Sequence, residues 1–348
     1  MTTQTIPLVR EAIFEAFINA ARNIGCPVEK YLHAVKLPGE LSGNPETLLP
    51  ELQCWQFINL VANREKLDTL GLMTGTLQTH TELLALLKQY FADCINLNEL
   101  LKRFCIVVPM LATAEHYVLE EDGDILWFIQ KGPRLVSDDI QVELFQVLGM
   151  IQLVQVVAGK QWRPPKTRFT FSYRKAIEHA EELNPSQLHF SQAYPAIAIP
   201  RQLLSLELAA SKASVVNSSA KNNTVLPTPD SFVDSLRCAI LPYLGDQAPD
   251  INLAADISGM HVRTLQRRLA QQDMKYSAIV EQARLLKAKS LLNEKSLKLL
   301  DITLMLGYSE PATFTRAFRR WAGVSPSEYR KYQLAQAKES FMPAAGDE

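Results

Sequence analysis

Apolar residues recur at three- and four-residue intervals through most of the first hundred positions. Ile13, Phe14, Phe17, Ile18 and Ala21 fall on one helical stripe, and Leu52, Trp55, Phe57, Ile58, Leu60 and Val61 on a second. Leu83, Leu84, Leu87 and Phe91 continue the spacing. The period then shortens to two. AEHYVLEEDGDILWFIQKG holds two β-rich runs about Asp122-Gly123, a dipeptide that tolerates the positive φ of a tight hairpin turn. Helical spacing returns over 138–159 through Ile140, Leu144, Leu148, Ile151, Val154 and Ala158, with Gly159 placed to cap the C-terminus. KTRFTFSY predicts another strand, and SQLHFSQAYPAIAIP one or two short ones. This part of the chain reads as α+β, helix-rich before it is sheet-rich.

The stretch SKASVVNSSAKNNTVLPTP has no sustained period and closes on two prolines, so it predicts a linker. Beyond it the pattern is helical throughout, with helices expected at 231–244, 253–258, 262–271, 277–292, 301–306, 312–321 and 325–331. The expected organisation is an α+β domain over 1–210, a linker over 211–230, an all-α domain over 231–332 and a tail over 333–348.

Within the helical half one arrangement occurs twice. In LAADISGMHVRTLQRRL the small Ala255 precedes Gly259 by four residues, and a helix follows from Val262. In ITLMLGYSEPATFTRAFRRW, Thr303 precedes Gly307 in the same way, and a helix follows from Ala312. A small residue permits close helix crossing and glycine accepts the turn's dihedrals, so both predict helix-turn-helix units, over 251–272 and 299–322. Helix 277–292 between them would act as a rigid spacer of about 24 Å. Leu265 and Leu269 face the core of the first unit, leaving Arg263, Gln266 and Arg267 outward beside Thr264. Phe314, Phe318 and Trp321 form the buried stripe of the second, leaving Thr313, Arg316 and Arg320 outward beside Arg319. Arginine can hydrogen-bond guanine bidentately and glutamine adenine, while further cations neutralise phosphates. These eight residues are the expected DNA-contacting set. Ser325-Pro326-Ser327-Glu328 has the form of a capping box with proline at its first helical position.

Charge strengthens this picture. The chain carries a formal net charge of −1, yet residues 250–335 hold fourteen Lys/Arg against eight Asp/Glu, a net of +6. A basic module joined to an acidic one points to a polyanionic partner. An arginine-rich face can also be merely solvated, but duplication, turn chemistry and charge agree here.

Other chemistry finds little support. The five cysteines have no CxxC spacing and predict buried thiols rather than a disulfide framework or zinc site. No HExxH, GxSxG, Walker A or GxGxxG pattern occurs, so neither a metal nor a cofactor is expected, and no catalytic residue. Glu120, Glu121 and Asp122 precede the hairpin glycine, where carboxylates are usually solvated. Cys238 beside a helical module invites comparison with alkyl-accepting repair proteins, but it has no neighbouring histidine. The apolar run 144–158 is broken by Gln146, Gln152 and Gln155 and falls short of the roughly 20 residues of a membrane span. With no export signal at the N-terminus, the cytoplasm is the expected location.

RTLQRRL at 263–269, the alanine and leucines of 288–292, and LGYSEPATFTRAFRRWAGVSPSEYR at 306–330 resemble the DNA-binding domain of the AraC/XylS family of bacterial transcription regulators. Two positions depart from the family pattern: His261 stands where a serine N-cap is usual, and Thr303 where alanine is. GKQWRPPKTRFTFSYRK and LHFSQAYPAIAIPRQLL resemble the arabinose-binding type of N-terminal sensor region found in some of these regulators. The resemblance implies promoter DNA as partner, a small-molecule effector not restricted to arabinose, a homodimer, and activation through RNA polymerase. A ligand-independent repressor or global DNA binder is the alternative reading, and an enzymatic first domain a further one. The residues that would hold an effector are not identifiable from the sequence.

Overall fold

The computed structural model describes residues 5–76, 90–135, 140–181, 183, 187–208, 228–245, 249–294 and 296–339. The chain divides into two compact units, one over 7–228 and one formed by 1–6 with 229–348. The expected stripe at Leu83, Leu84 and Leu87 and nearly all of the expected linker lie outside the described residues.

The first unit opens with a short strand β1 (Leu8–Arg10), followed by α1 (Glu11–Asn23), α2 (Val28–Ala34), β2 (Leu48–Pro50), α3 (Glu51–Glu65) and α4 (Leu70–Thr76). β1 and β2 pair antiparallel, Val9 opposite Leu49. They were not expected, because three-residue strands are too short to leave a period of two. Phe14 and Phe17 of α1 pack with Trp55, Phe57 and Ile58 of α3 in one core cluster, so the two predicted stripes face each other.

α5 (Leu97–Val107) leads to the hairpin β3 (Tyr117–Asp122) and β4 (Ile125–Gln130). Asp122 pairs with Ile125, so the two-residue loop is Gly123-Asp124, one position later than expected, with Gly123 at φ 58. α6 (Ile140–Ala158) follows, then β5 (Thr167–Arg168), β6 (Leu188–His189) and β7 (Ala196–Pro200). The five-stranded sheet has the order β3-β4-β7-β5-β6, antiparallel except for the β5–β6 pair. KTRFTFSY thus contributes only two residues of strand. Its phenylalanines Phe169 and Phe171 are buried in the core beside Phe190. α6 is the one described helix long and apolar enough to cross a membrane. Its Leu144, Leu148, Ile151 and Val154 are instead packed against the sheet's Phe128, Ile197 and Ile199.

The second unit holds α7 (Phe232–Ile240), α8 (Ile251–Ile257), α9 (Val262–Ala270), α10 (Tyr276–Asn293), α11 (Leu299–Met305), α12 (Pro311–Ala322) and α13 (Pro326–Glu339). Side-chain caps set three starts: Ser231 accepts from the Asp234 amide, Asp250 from that of Leu253, and Ser325 from that of Glu328. Glu328 completes the reciprocal box by accepting from the Ser325 amide at 2.8 Å. α13 runs to Glu339, beyond the expected domain end at 332. Ile6 belongs to this unit: it is buried, and its amide donates to the buried Ser235 hydroxyl at 2.9 Å.

Candidate DNA-binding interface and sensor cavity

The two turns of the second unit are built alike, bond for bond. Gly259 and Gly307 both adopt left-handed backbone, at φ 63 and 75. The residue after each glycine donates back to the small residue five before it: Met260 N–H to Ala255 C=O and Tyr308 N–H to Thr303 C=O, both at 3.0 Å. The glycines themselves donate to Asp256 and Leu304, at 3.0 and 2.9 Å. These are Schellman C-caps, which need a residue that accepts positive φ. Ala255 and Thr303 are both fully enclosed at the crossing. The Thr303 hydroxyl, absent where alanine is usual, donates to the Leu299 carbonyl at 2.7 Å, so it is buried without being orphaned.

The helices that follow the turns bury one face each. Leu265 and Leu269 are enclosed on α9, while Arg263, Gln266 and Arg267 are exposed and Thr264 is half-buried. On α12, Phe314 and Phe318 are enclosed in a cluster with Ala288, Leu292, Ile302 and Leu306. Arg316, Arg319 and Arg320 are exposed and Thr313 is half-buried. Trp321 departs from its expected place in the buried stripe: it is half-buried, 6.5 Å from the Tyr308 ring.

Not all the basic residues of this unit are equivalent. Arg316 Nη2 lies 3.4 Å from Thr313 Oγ1, which joins two of the expected contact residues on one face. Arg320 reaches away from its own helix, donating to Glu281 of α10 at 2.6 Å. Arg268 stacks on Phe232, Arg284 on Tyr308, and Arg330 donates to the Leu292 carbonyl at 3.0 Å. Those three brace the fold. Sequence spacing did not single out Glu281, because its partner lies 39 positions away.

At the N-cap of α9, His261 has extended backbone (φ −74, ψ 149) and makes no side-chain cap bond. The departure from a serine cap is therefore felt locally, since the first amides of this helix lose the oxygen a serine would supply.

The first unit contains a cavity of about 350 Å³. Trp55 reaches it from α3, Gln130 to Leu135 from the end of β4 and the loop beyond, Val142, Glu143 and Gln146 from α6, and Tyr194 from the approach to β7. Glu115 and Thr170 complete its polar lining. Glu115 accepts from Gln130 Nε2 at 3.0 Å and from Gln146 Nε2. Glu143 accepts from the Thr170 amide at 2.7 Å and from its hydroxyl, and Arg134 Nη2 lies 3.6 Å from Glu143 Oε2. Beneath Trp55, the carboxyl of Glu51 is enclosed, and burial together with the charge of Glu115 pushes it well above the usual carboxylate range. None of these residues stood out as an effector site in the sequence. The available signal was Glu143 and Gln146, polar positions inside the most apolar helix of the chain.

Residues 254–332 match a helix-turn-helix domain family, and residues 25–208 match the arabinose-binding domain of AraC transcription regulators. Among individual proteins, Rv1395 of Mycobacterium tuberculosis, an uncharacterized HTH-type transcriptional regulator, is 31% identical over 155 residues, which are 41% of this chain and 42% of that one. The HTH-type transcriptional regulator VqsM of Pseudomonas aeruginosa is 42% identical over 90 residues, 26% of this chain and 28% of its own. The ornithine utilization regulator of the same organism is 30% identical over 146 residues, 41% and 43% of the two chains. The matched segments thus span less than half the length of these relatives. The crystal structure of the transcriptional regulator CdpR from Pseudomonas aeruginosa aligns at 18% identity and a TM-score of 0.36, covering 88% of this chain and 96% of that one. The matching families and relatives are transcription regulators, not enzymes. With both of its halves matched in this order, the chain belongs to the AraC-type DNA-binding transcription regulators that carry an arabinose-binding type of N-terminal ligand-binding domain.

Proposed function

We propose that the protein binds specific promoter sequences by inserting α9 and α12 into successive major grooves on one face of the DNA, and that it acts as an effector-responsive activator. The observation that carries this reading is the duplicated turn: two identically bonded helix-turn-helix units, each followed by a helix with an exposed basic and polar face. Arg263, Gln266 and Arg267 in the first helix, and Arg316 and Arg319 in the second, would meet base edges and phosphates, with Thr264 and Thr313 beside them. Arg320 joins them when its bond to Glu281 yields.

The partners follow from this reading. The protein would act in the cytoplasm on promoter DNA, as a homodimer, and contact RNA polymerase when bound. The polar-lined, partly open cavity of the first unit supports a small-molecule effector. A relative named for ornithine utilization supports the same class.

Mobility-shift titration of the full chain against a selected binding sequence and a scrambled control tests the reading. Arg263→Ala and Arg316→Ala should each cost about 1–3 kcal/mol on the selected sequence and little on the control. Equal loss on both would leave a binder without sequence preference.

A further inference from the structure

In the first unit, α5 carries an exposed face that lies outside the cavity. Asn96 caps this helix by accepting from the Glu99 amide at 3.0 Å, and Glu99 Oε2 accepts in turn from the Ile95 amide, also at 3.0 Å. That second bond holds Ile95 beside Glu99. Lys102 and Ile106 follow at intervals of three and four residues, so the four positions share one flank of the helix. Ile106 and Ile95 are the two most exposed aliphatic side chains among the described residues, at 66% and 56%. Leu97 donates its amide to the Leu206 carbonyl at 3.1 Å, which sets the exposed Leu206 next to the Ile95 end of the same face. Between the apolar ends, Glu99 is half-buried and Lys102 is exposed, and Lys102 makes no ion pair among the described residues.

We infer that this face is where two copies of the chain meet, their α5 helices packing antiparallel about a two-fold axis that crosses between Leu100 and Leu101. This rests on the homodimer reading above and names its contact surface.

The spacing of the four residues carries the inference. A two-fold contact pairs each residue with a second and that second with the first, so the surface must complement itself. Ile95 and Ile106 stand equally far from the Leu100–Leu101 midpoint, and so do Glu99 and Lys102. Reversing α5 against its copy about that point sets Ile95 opposite Ile106 of the second copy, and Glu99 opposite Lys102 of the second copy. One register thus matches apolar with apolar at both ends and opposite charges in the middle. The parallel arrangement would face Glu99 with Glu99 and Lys102 with Lys102, which repel. An unrelated partner would impose no such symmetry on the face. Glu99 keeps its cap while pairing, because a carboxylate has two oxygens and several acceptor positions. Leu206, alongside Ile95, widens the apolar contact beyond the helix, and exposed aliphatic side chains grouped in this way mark contact surfaces.

Sedimentation equilibrium of the full chain without DNA, from about 1 to 100 µM, tests the assignment across the weak end of interface affinities. The parent is expected to self-associate. Ile106→Glu and Lys102→Glu change exposed side chains, and each should raise the dimer dissociation constant at least about tenfold. Adding Glu99→Gln to Lys102→Glu removes the like-charge encounter and keeps a side chain able to cap, so it should recover most of the loss. A short thiol crosslinker should join Ile95→Cys chains to Ile106→Cys chains when the two are mixed, well above the level of the parent or of either variant alone. An unchanged dissociation constant in Ile106→Glu or in Lys102→Glu, or crosslinking of either cysteine variant to itself in preference to the mixture, would overturn the assignment while leaving the homodimer standing. A parent that stays monomeric throughout would overturn both.

Discussion

Arg320, on α12, donates to Glu281, on the helix α10 that joins the two units, at 2.6 Å. The pair ties one arginine of the basic face to a helix that otherwise only carries the two units. Both partners are substantially exposed, at 64% and 46%, so the bond is a weak restraint rather than a structural clamp.

Glu281→Gln is therefore expected to alter stability by less than about 1 kcal/mol in urea denaturation. It should also remove a negative charge from the basic face and free the guanidinium. Affinity for unrelated DNA should rise at low salt, and the ratio of specific to non-specific binding should fall. Mobility shifts on paired specific and scrambled duplexes would read this; an unchanged ratio would show that the pair has no part in selection.

Phe318 packs edge-on against Phe314 and Tyr329, at 5.8 and 5.6 Å between ring centres. Phe318→Ala opens a void in a cluster of six enclosed side chains and should cost about 3–5 kcal/mol. Because this cluster holds α12, urea denaturation should show early loss of helix signal, and on the proposed reading DNA affinity should drop to its non-specific level.

His261 offers the opposite case. Its backbone already has N-cap geometry but its side chain caps nothing, so His261→Ser should stabilise the second unit by about 0.5–1 kcal/mol. Denaturation midpoints of the two proteins decide it; a lower midpoint for the serine variant would mean that the imidazole makes a favourable contact elsewhere.

Glu51 makes a pH prediction for the first unit. Its folded carboxyl is pushed well above the ordinary 4.5 by burial first and the Glu115 charge second. The folded state therefore keeps this proton where the unfolded chain has lost it, and stability contributed by the protonated carboxyl declines as pH rises above that ordinary value. Glu51→Gln cannot titrate, so its stability should be flatter from acid to neutral pH and higher than the parent's at neutrality. Parallel slopes for the two proteins in urea denaturation across that range would contradict the assignment.

The DNA-binding half was readable along the chain because its determinants are local. A small residue, a glycine four positions later and a stripe of leucines or phenylalanines fix each unit within about twenty residues. The Ser325–Glu328 box and the Gly159 cap are equally short-range. What escaped the sequence is what the fold gathers from far apart. Arg320 meets Glu281 across two turns and a helix, and β1 meets β2 with α1 and α2 between them. The cavity draws Trp55, Glu115, Gln130, Glu143, Thr170 and Tyr194 from six separate segments. Single polar positions in apolar helices hint at such a gathering, but give no indication of which partners they meet.

The spacer helix α10 has a consequence for operators. Its Ile279 and Ala283 are enclosed toward its N-terminal end, and its Ala288 and Leu292 belong to the cluster that holds α12. Eighteen uninterrupted helical residues make a ruler of about 27 Å. A continuous helix between the two units would limit how far α9 and α12 adjust their separation and phase independently. Adding one base pair between the two recognised segments would shift the second by about 3.4 Å and turn it by roughly a tenth of a helical turn. A stiff connection would leave that change to be taken up by twisting or bending of the DNA. Tolerance to spacing would then be a property of the operator's own stiffness, greatest where flexible pyrimidine–purine steps lie between the two contacts.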